Sequence, residues 1–178
     1  AHHVLIVADL HFEKGSSYAR TGQLLPPYDS RATLVKLKQA VARHRPATVV
    51  ALGDSFHDRE AGARLGVEER QMLAALARAA AFVWIAGNHD PQTPAWLAGE
   101  TALEIMLGGL TLRHEPQARL HPGEVAGHLH PCARVAKWGR SVRRRCFVSD
   151  GLRLVLPSFG AYTGGLDVRE APISGLFA

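Results

Sequence analysis

Three short runs, Val4 to Ala8, Thr48 to Leu52 and Phe82 to Ala86, are apolar at almost every position rather than at every second one. A strand with one face in water alternates, so these runs predict strands covered on both faces at the centre of a sheet. Between the first two, Ser30 to Arg45 places Leu34, Leu37 and Val41 at helical spacing, with Asp29 or Ser30 available as a cap and Pro46 just beyond the end. Between the second and third, Val67 to Ala80 sets Leu73, Leu76, Ala77 and Ala80 on one face, and Glu68 and Glu69 in the first turn, where the helix dipole favours acids. Strand, helix, strand, helix, strand is the order of right-handed crossover units in a parallel sheet.

Beyond Pro94 the pattern changes. Leu103 to Leu107, the Gly108-Gly109 turn and Leu110 to Arg113 predict a hairpin. Further runs, Cys132 to Trp138, Val142 to Val148 and Leu152 to Leu156, are joined at Gly139-Arg140-Ser141 and Ser149-Asp150-Gly151, as in a meander building a second sheet. Trp84 and Trp138 fall inside these strands and are expected in the core, while Trp96 falls in a loop. The prediction is an α/β four-layer sandwich, two mixed sheets flanked by helices. The 178 residues, 1–178, suffice for one substantial core and are few for two domains. The Gly-rich stretch Gly160 to Gly165 reads as a loop of no evident purpose.

Composition adds little. Two cysteines, Cys132 and Cys146, are too few for a disulfide framework or a zinc cluster and are expected as reduced, partly buried thiols. The net charge of +5 weakly favours a polyanionic partner. Arg140, Arg143, Arg144 and Arg145 could contact phosphates or protect a solvated edge strand; alternation would send Arg143 and Arg145 to one face and Arg144 to the other, which favours the edge. No apolar run approaches the roughly 20 residues of a membrane span and no targeting pattern opens the chain, so a cytoplasmic protein without a membrane partner is expected. The first residue is Ala, so the natural chain could extend further upstream.

The chemistry is concentrated where strands end. Asp9-Leu10-His11, Gly53-Asp54-Ser55 and Gly87-Asn88-His89-Asp90 each follow a central strand, and Arg113-His114-Glu115 and Gly127-His128-Leu129-His130 follow later ones. Ligands of open α/β sheets bind outside the carboxyl ends of the strands, so these clusters should converge. Carboxylates, an amide and imidazoles, with no thiolate, suit manganese, iron or zinc. In Asp9-x-His11 and His128-x-His130, spacing of two on an extended segment would direct both side chains to one side. Gly53, Gly87 and Gly127 permit tight turns beside the ligands. Seven candidate ligands exceed the needs of one ion and suit two that share a carboxylate.

These motifs, Asp9-x-His11, Gly53-Asp54, Gly87-Asn88-His89-Asp90, His114 and Gly127-His128-x-His130, resemble the calcineurin-like metallophosphoesterase signature. Ala8 to Gly15, Leu25 to Asp29, Gly53 to Asp58 and Phe159 to Gly165 are similar to the bacterial PdeM group, ligase-associated DNA damage response endonucleases related to SbcD-type nucleases. The resemblance implies Asp9, His11 and His130 on one ion, Asn88, His114 and His128 on the other, and Asp54 between them. It implies hydroxide bridging two divalent ions, Mn2+ foremost with Zn2+ and Fe2+ as alternatives, attacking phosphorus of DNA. His89 would act on the leaving oxygen, with Asp90 orienting its ring. Lys14, Arg20 and Arg31 could line the substrate approach, and His57 and Asp58 are either active-site residues or a supporting pair. Partners implied are DNA, an ATP-dependent DNA ligase and other repair proteins. Two other readings are a phosphoesterase of small molecules such as nucleotides or lipid precursors, and a non-catalytic repair scaffold with structural metals.

Overall fold

The computed structural model describes residues 3–119 and 121–177. The first half runs β1 (Val4–Val7), α1 (Lys14–Ala19), α2 (Asp29–His44), β2 (Thr48–Leu52), α3 (Ala61–Arg64), α4 (Val67–Ala79) and β3 (Ala81–Ile85), and β4 (Glu100–Ala102) closes the edge. These strands pair in the order β1-β2-β3-β4, parallel throughout. The second half contributes β5 (Glu104–Leu107), β6 (Leu110–Arg113), β7 (Glu124–Ala126), β8 (Cys132–Lys137), β9 (Arg140–Arg145), β10 (Val148–Ser149), β11 (Arg153–Val155) and one helical turn, α5 (Ala171–Ser174). Its sheet is mixed, in the order β10-β11-β7-β6-β5.

The continuous apolar runs are explained by two cores. Leu34, Leu37 and Val41 of α2 and Leu73 and Leu76 of α4 pack against Val49, Ala51, Phe82 and Trp84 on one face of the parallel sheet. Val50, Leu52 and Ile85 point the opposite way and meet Leu112, Val125 and Leu156 of the second sheet. Both faces are dry, so neither parity of β2 can be polar. Asp29 and Ser30, expected as a cap, do not cap α2. Tyr28 holds that position without a side-chain bond, and the Asp29 carboxylate and Ser30 hydroxyl instead accept the backbone N–H groups of Gly15 and Glu13 at the start of α1.

The expected meander is broken. β8 and β9 form a hairpin of their own, Cys132↔Arg145 through Lys137↔Arg140, outside both larger sheets. Only β10 and β11 join the second sheet. With no layer above its tip, Trp138 is 90% exposed rather than in the core, whereas Trp84 is buried as expected. Cys132 is buried and Cys146 half-buried, both free thiols.

The outer face of the second sheet carries buried charge. Leu154, Val125 and Leu112 face the core, so Arg153, Glu124 and Arg113 point outward. Arg153 Nε lies 2.6 Å from Glu124 Oε2, Glu124 Oε1 lies 3.5 Å from Arg113, and Arg113 lies 2.8 Å from Glu104. The Arg153 and Glu124 side chains are fully buried. The rest of the Arg153 guanidinium donates to the carbonyls of Gln117, Arg119 and Leu176, drawing the loop before β7 and the tail after α5 over the sheet. Removing one partner leaves a buried charge without its counter-ion, at a cost of about 3–5 kcal/mol. Arg153→Ala should therefore lower the urea midpoint strongly. In Arg153→Ala/Glu124→Ala the loss should be smaller than the sum of the single losses, because neither charge is stranded; additive losses would show that the pair is not coupled.

Candidate metal centre

At the carboxyl edge of the sheets the backbone leaves the strands through left-handed turns. Asp9 (φ 55°), His11 (φ 46°), Asp54 (φ 46°), His128 (φ 68°) and His130 (φ 47°) all lie in a region that side-chain-bearing residues seldom occupy. The two Asp-x-His and His-x-His pairs are therefore not extended, as their spacing suggested. They converge because alternate residues are turned left-handed, at a cost of about 1–2 kcal/mol each. What holds them is a ladder between the first two loops: Asp9 N–H to Gly53 O, His11 N–H to Asp54 O at 2.9 Å, and Phe12 N–H to Ser55 O at 2.8 Å. Phe12 and Phe56, both buried and packed edge to face at 5.7 Å between ring centres, anchor the far end.

The donors converge in three groups whose ligand atoms lie within 4.8 Å of one another: Asp9 with His11 and His130, Asp54 with His114 and His128, and His11 with His57 and His89. In the first, His130 Nε2 is 3.2 Å from Asp9 Oδ1 and 3.4 Å from His11 Nε2. In the second, His114 Nε2 is 2.8 Å from Asn88 Oδ1 and 3.1 Å from His128 Nδ1. Asp54 stands between them, with Oδ2 3.8 Å from His11 Nε2 and Oδ1 3.5 Å from His114 Nε2. A Cβ at Gly87 would overlap the backbone nitrogen and Oδ1 of Asp54, so only glycine lets this carboxylate sit where it does.

Divalent ions fit these groups. Burial, reinforced by His130, His57 and His89, pushes the His11 pKa down to about 2, and burial with His114 beside it lowers that of His128. These two imidazoles are thus favoured in the neutral form, with a lone pair free, as a ligand must be. His114 Nδ1 faces the Leu52 carbonyl at 2.9 Å, which can only accept, so Nδ1 carries the proton and Nε2 presents its lone pair inward.

His57 belongs to this site. Its Nδ1 is 3.2 Å from His11 Nδ1, its ring stacks on His89 with centres 5.2 Å apart, and its carbonyl accepts the His89 Nδ1 proton at 2.8 Å. That last bond leaves His89 Nε2 pointing inward, 4.0 Å from Asp54 Oδ2. Asp90 does not orient the His89 ring. It is buried, its Oδ2 accepts Phe56 N–H at 3.0 Å, and burial together with the nearby Asp54 charge pushes its pKa up to about 7. Asp58 is turned away into a bidentate pair with Arg64 at 2.6 and 3.0 Å. Arg20 pairs with Glu60 and Arg31 with Glu68, both on the outer surface of the helices, so neither lines the approach. Lys14 remains close to His11 and His57, whose protonation its charge opposes.

Sequence reasoning missed the floor of the site. Phe159 N–H donates to Ala8 O and Gly160 N–H to Asp9 O, and a side chain at Gly160 would overlap the Leu10 carbonyl. Arg145 donates to the carbonyls of Ser158, Gly160, Ala161 and Thr163 and holds this loop in place. Its signals were the run of glycines and the family resemblance of Phe159 to Gly165, neither of which told its purpose.

Nitrogen and oxygen donors gathered around Asp54, at the carboxyl edge of a sheet, suit divalent metal ions. The chain belongs to the calcineurin-like phosphoesterase family, whose profile matches residues 2–155, and it is a metal-dependent phosphoesterase. Among solved structures it is similar to a Pseudomonas putida nuclease MPE, 34% identical with 96% of this chain and 81% of that one covered and a TM-score of 0.76. It also matches Yfce, a phosphoesterase from E. coli, at 15% identity and a TM-score of 0.46, covering 92% of this chain and 83% of that one. No curated protein matches it in sequence.

Two outcomes test this geometry. Gly87→Ala should displace Asp54 and weaken metal binding, read by calorimetry, by about 10-fold or more; unchanged affinity would mean the loop absorbs the methyl. For Asp58, burial raises the pKa, but the Arg64 bonds, the Ser17 hydroxyl and Glu60 N–H outweigh it and hold the pKa at about 2. Its folded pKa is depressed, so its stabilisation is present above about pH 4 and is lost as pH falls toward about 2. The difference in unfolding free energy between the parent and Asp58→Asn should shrink over that window and be flat above it.

Proposed function

We propose that this chain hydrolyses phosphodiester bonds of DNA with two divalent ions held on either side of Asp54. The observation that carries this reading is the division of the Asp54 carboxylate, one oxygen toward His11 and the other toward His114. Asp9, His11 and His130 would hold one ion, and Asn88, His114 and His128 the other. Such ions supply Lewis-acid polarisation of a phosphoryl oxygen and acidify water. With Asp9 and Asp54 as the only carboxylates of the set, two dications leave a positive surplus that attracts a phosphate. His89 donates Nδ1–H to the His57 carbonyl, which turns Nε2 inward; in the imidazolium form, protonated at both nitrogens, Nε2 would give its proton to the departing oxygen. His57, touching both His11 and His89, positions the two rings.

DNA as substrate is supported by the likeness to the Pseudomonas putida nuclease. A nitrogen-and-oxygen donor set without thiolate is compatible with Mn2+, the ion we favour. A single domain spanning 1–178, a role in DNA repair beside an ATP-dependent DNA ligase, and a cytoplasmic setting are parts of the proposal that rest on the PdeM resemblance and composition. No helix among the described residues is long and apolar enough to cross a membrane.

The test is hydrolysis of labelled single- and double-stranded DNA and of bis-p-nitrophenyl phosphate with added Mn2+. The parent should cut DNA and the ester, and Asp54→Ala neither. Cleavage of the ester alone would transfer the reading to a small-molecule phosphoesterase, and metal binding without any hydrolysis would point to a scaffold. His89→Ala should retain the metal and lose about 10²- to 10⁴-fold in turnover; normal turnover would remove His89 from the chemistry.

A further inference from the structure

The β8–β9 hairpin begins two residues after the ligand His130 and is the one extended arm among the described residues that leaves both sheets. It carries Arg134, Lys137, Arg140, Arg143, Arg144 and Arg145 and no acid between Cys132 and Phe147. Its faces differ in use. Arg143 donates to the Gly165 carbonyl, and Arg145 to four carbonyls of the loop that backs Asp9, so this face anchors the arm to the metal site. The other face, with Val135, Val142, Lys137, Arg140 and Arg144, is exposed. Arg144 there bonds only to the carbonyl of Arg143 beside it.

The tip is equally unusual. Trp138 (φ 51°) and Gly139 (φ 72°) form the two central positions of the hairpin turn, both left-handed. Asn, Asp or Gly suit the first of these, and tryptophan there is strained. It is nonetheless 90% exposed, touched only by the Lys137 ammonium 4.3 Å from its ring centre. Protection of a sheet edge needs charge of either sign and no aromatic residue at the turn.

From this we infer that the hairpin is a nucleic-acid-binding arm that holds the single-stranded flank of the substrate, Lys137, Arg140 and Arg144 against its phosphates and Trp138 stacked on a base. The inference rests on the nuclease reading and adds where the strand runs. A basic surface follows the backbone without reading sequence, and an exposed indole needs an unpaired base to stack on, which a duplex does not offer. Six residues of strand extend the contact about 20 Å from the metal site.

The experiment measures binding of fluorescent oligo(dT) of about 30 nucleotides, and of a duplex of the same length, with Ca2+ in place of Mn2+, across a salt series. Bis-p-nitrophenyl phosphate hydrolysis in Mn2+ is followed in parallel. Lys137→Ala/Arg140→Ala/Arg144→Ala should weaken oligo(dT) binding about tenfold or more at low salt and flatten the log–log salt slope by about 2. Trp138→Ala should weaken it about fivefold or more without changing that slope and leave duplex binding alone. Ester hydrolysis should be unaltered in both variants. Equal oligo(dT) affinity in parent and triple variant, or a loss confined to the duplex, would overturn the proposal while leaving the nuclease reading in place. A parent that hydrolyses the ester but neither binds nor cuts DNA would overturn both.

Discussion

Asp54 is a buried carboxylate that must face two ways at once, and the architecture around it follows from that constraint. Its backbone is turned left-handed and its side chain lies between His11 and His114. One oxygen also accepts the His89 N–H at 2.9 Å. Placing it there requires a strand that delivers it to the sheet edge, a loop from β1 laddered alongside, and a bare glycine at 87 to make room. Each of these belongs to a different crossover unit, so no local segment can build the site. The parallel sheet does so by ending adjacent strands at one edge.

The site is costly without its ions. Five candidate ligand residues are held left-handed, and His11 and His128, pressed against other imidazoles in a buried site, have their protonation opposed. The two dry cores beneath offset that cost, and the peptide ladder between the first two loops transmits their rigidity to the ligands. Conformational strain stored in a site persists where the surrounding structure over-determines it. Here β1, β2 and the Phe12–Phe56 contact perform that role.

Charge is used in three separate ways. On the outer face of the second sheet it is buried and paired, Arg153 with Glu124, and gathers the loop before β7 and the tail after α5. Around α1 to α4, Arg20 and Arg31 form surface pairs with Glu60 and Glu68, and Arg64 a half-buried pair with Asp58 of the loop before α3. On the β8–β9 arm the cations meet no acid on their own strands, and Arg143 and Arg145 tie the arm to the loop beneath Asp9. The net charge of +5 is therefore distributed unevenly, with a run of cations, unpaired among the described residues, on the β8–β9 strands.

The apolar runs of β1, β2 and β3 and the helical spacing of Leu34, Leu37 and Val41 determined the parallel half of the fold. The ordered polar clusters at the strand ends determined the donor set, because periodicity and residue type are local properties. Tertiary structure alone decided the rest. It detached the hairpin from the second sheet and exposed Trp138, which alternation cannot foresee since an apolar strand reads the same with or without a layer above it. It also gave Asp90 to the Phe56 N–H rather than the His89 ring, turned Asp58 toward Arg64, brought His57 against His11 and His89, and placed Arg20 and Arg31 in surface pairs. Where a side chain points depends on left-handed turns and on partners distant in the chain, and those are settled only when the strand ends meet.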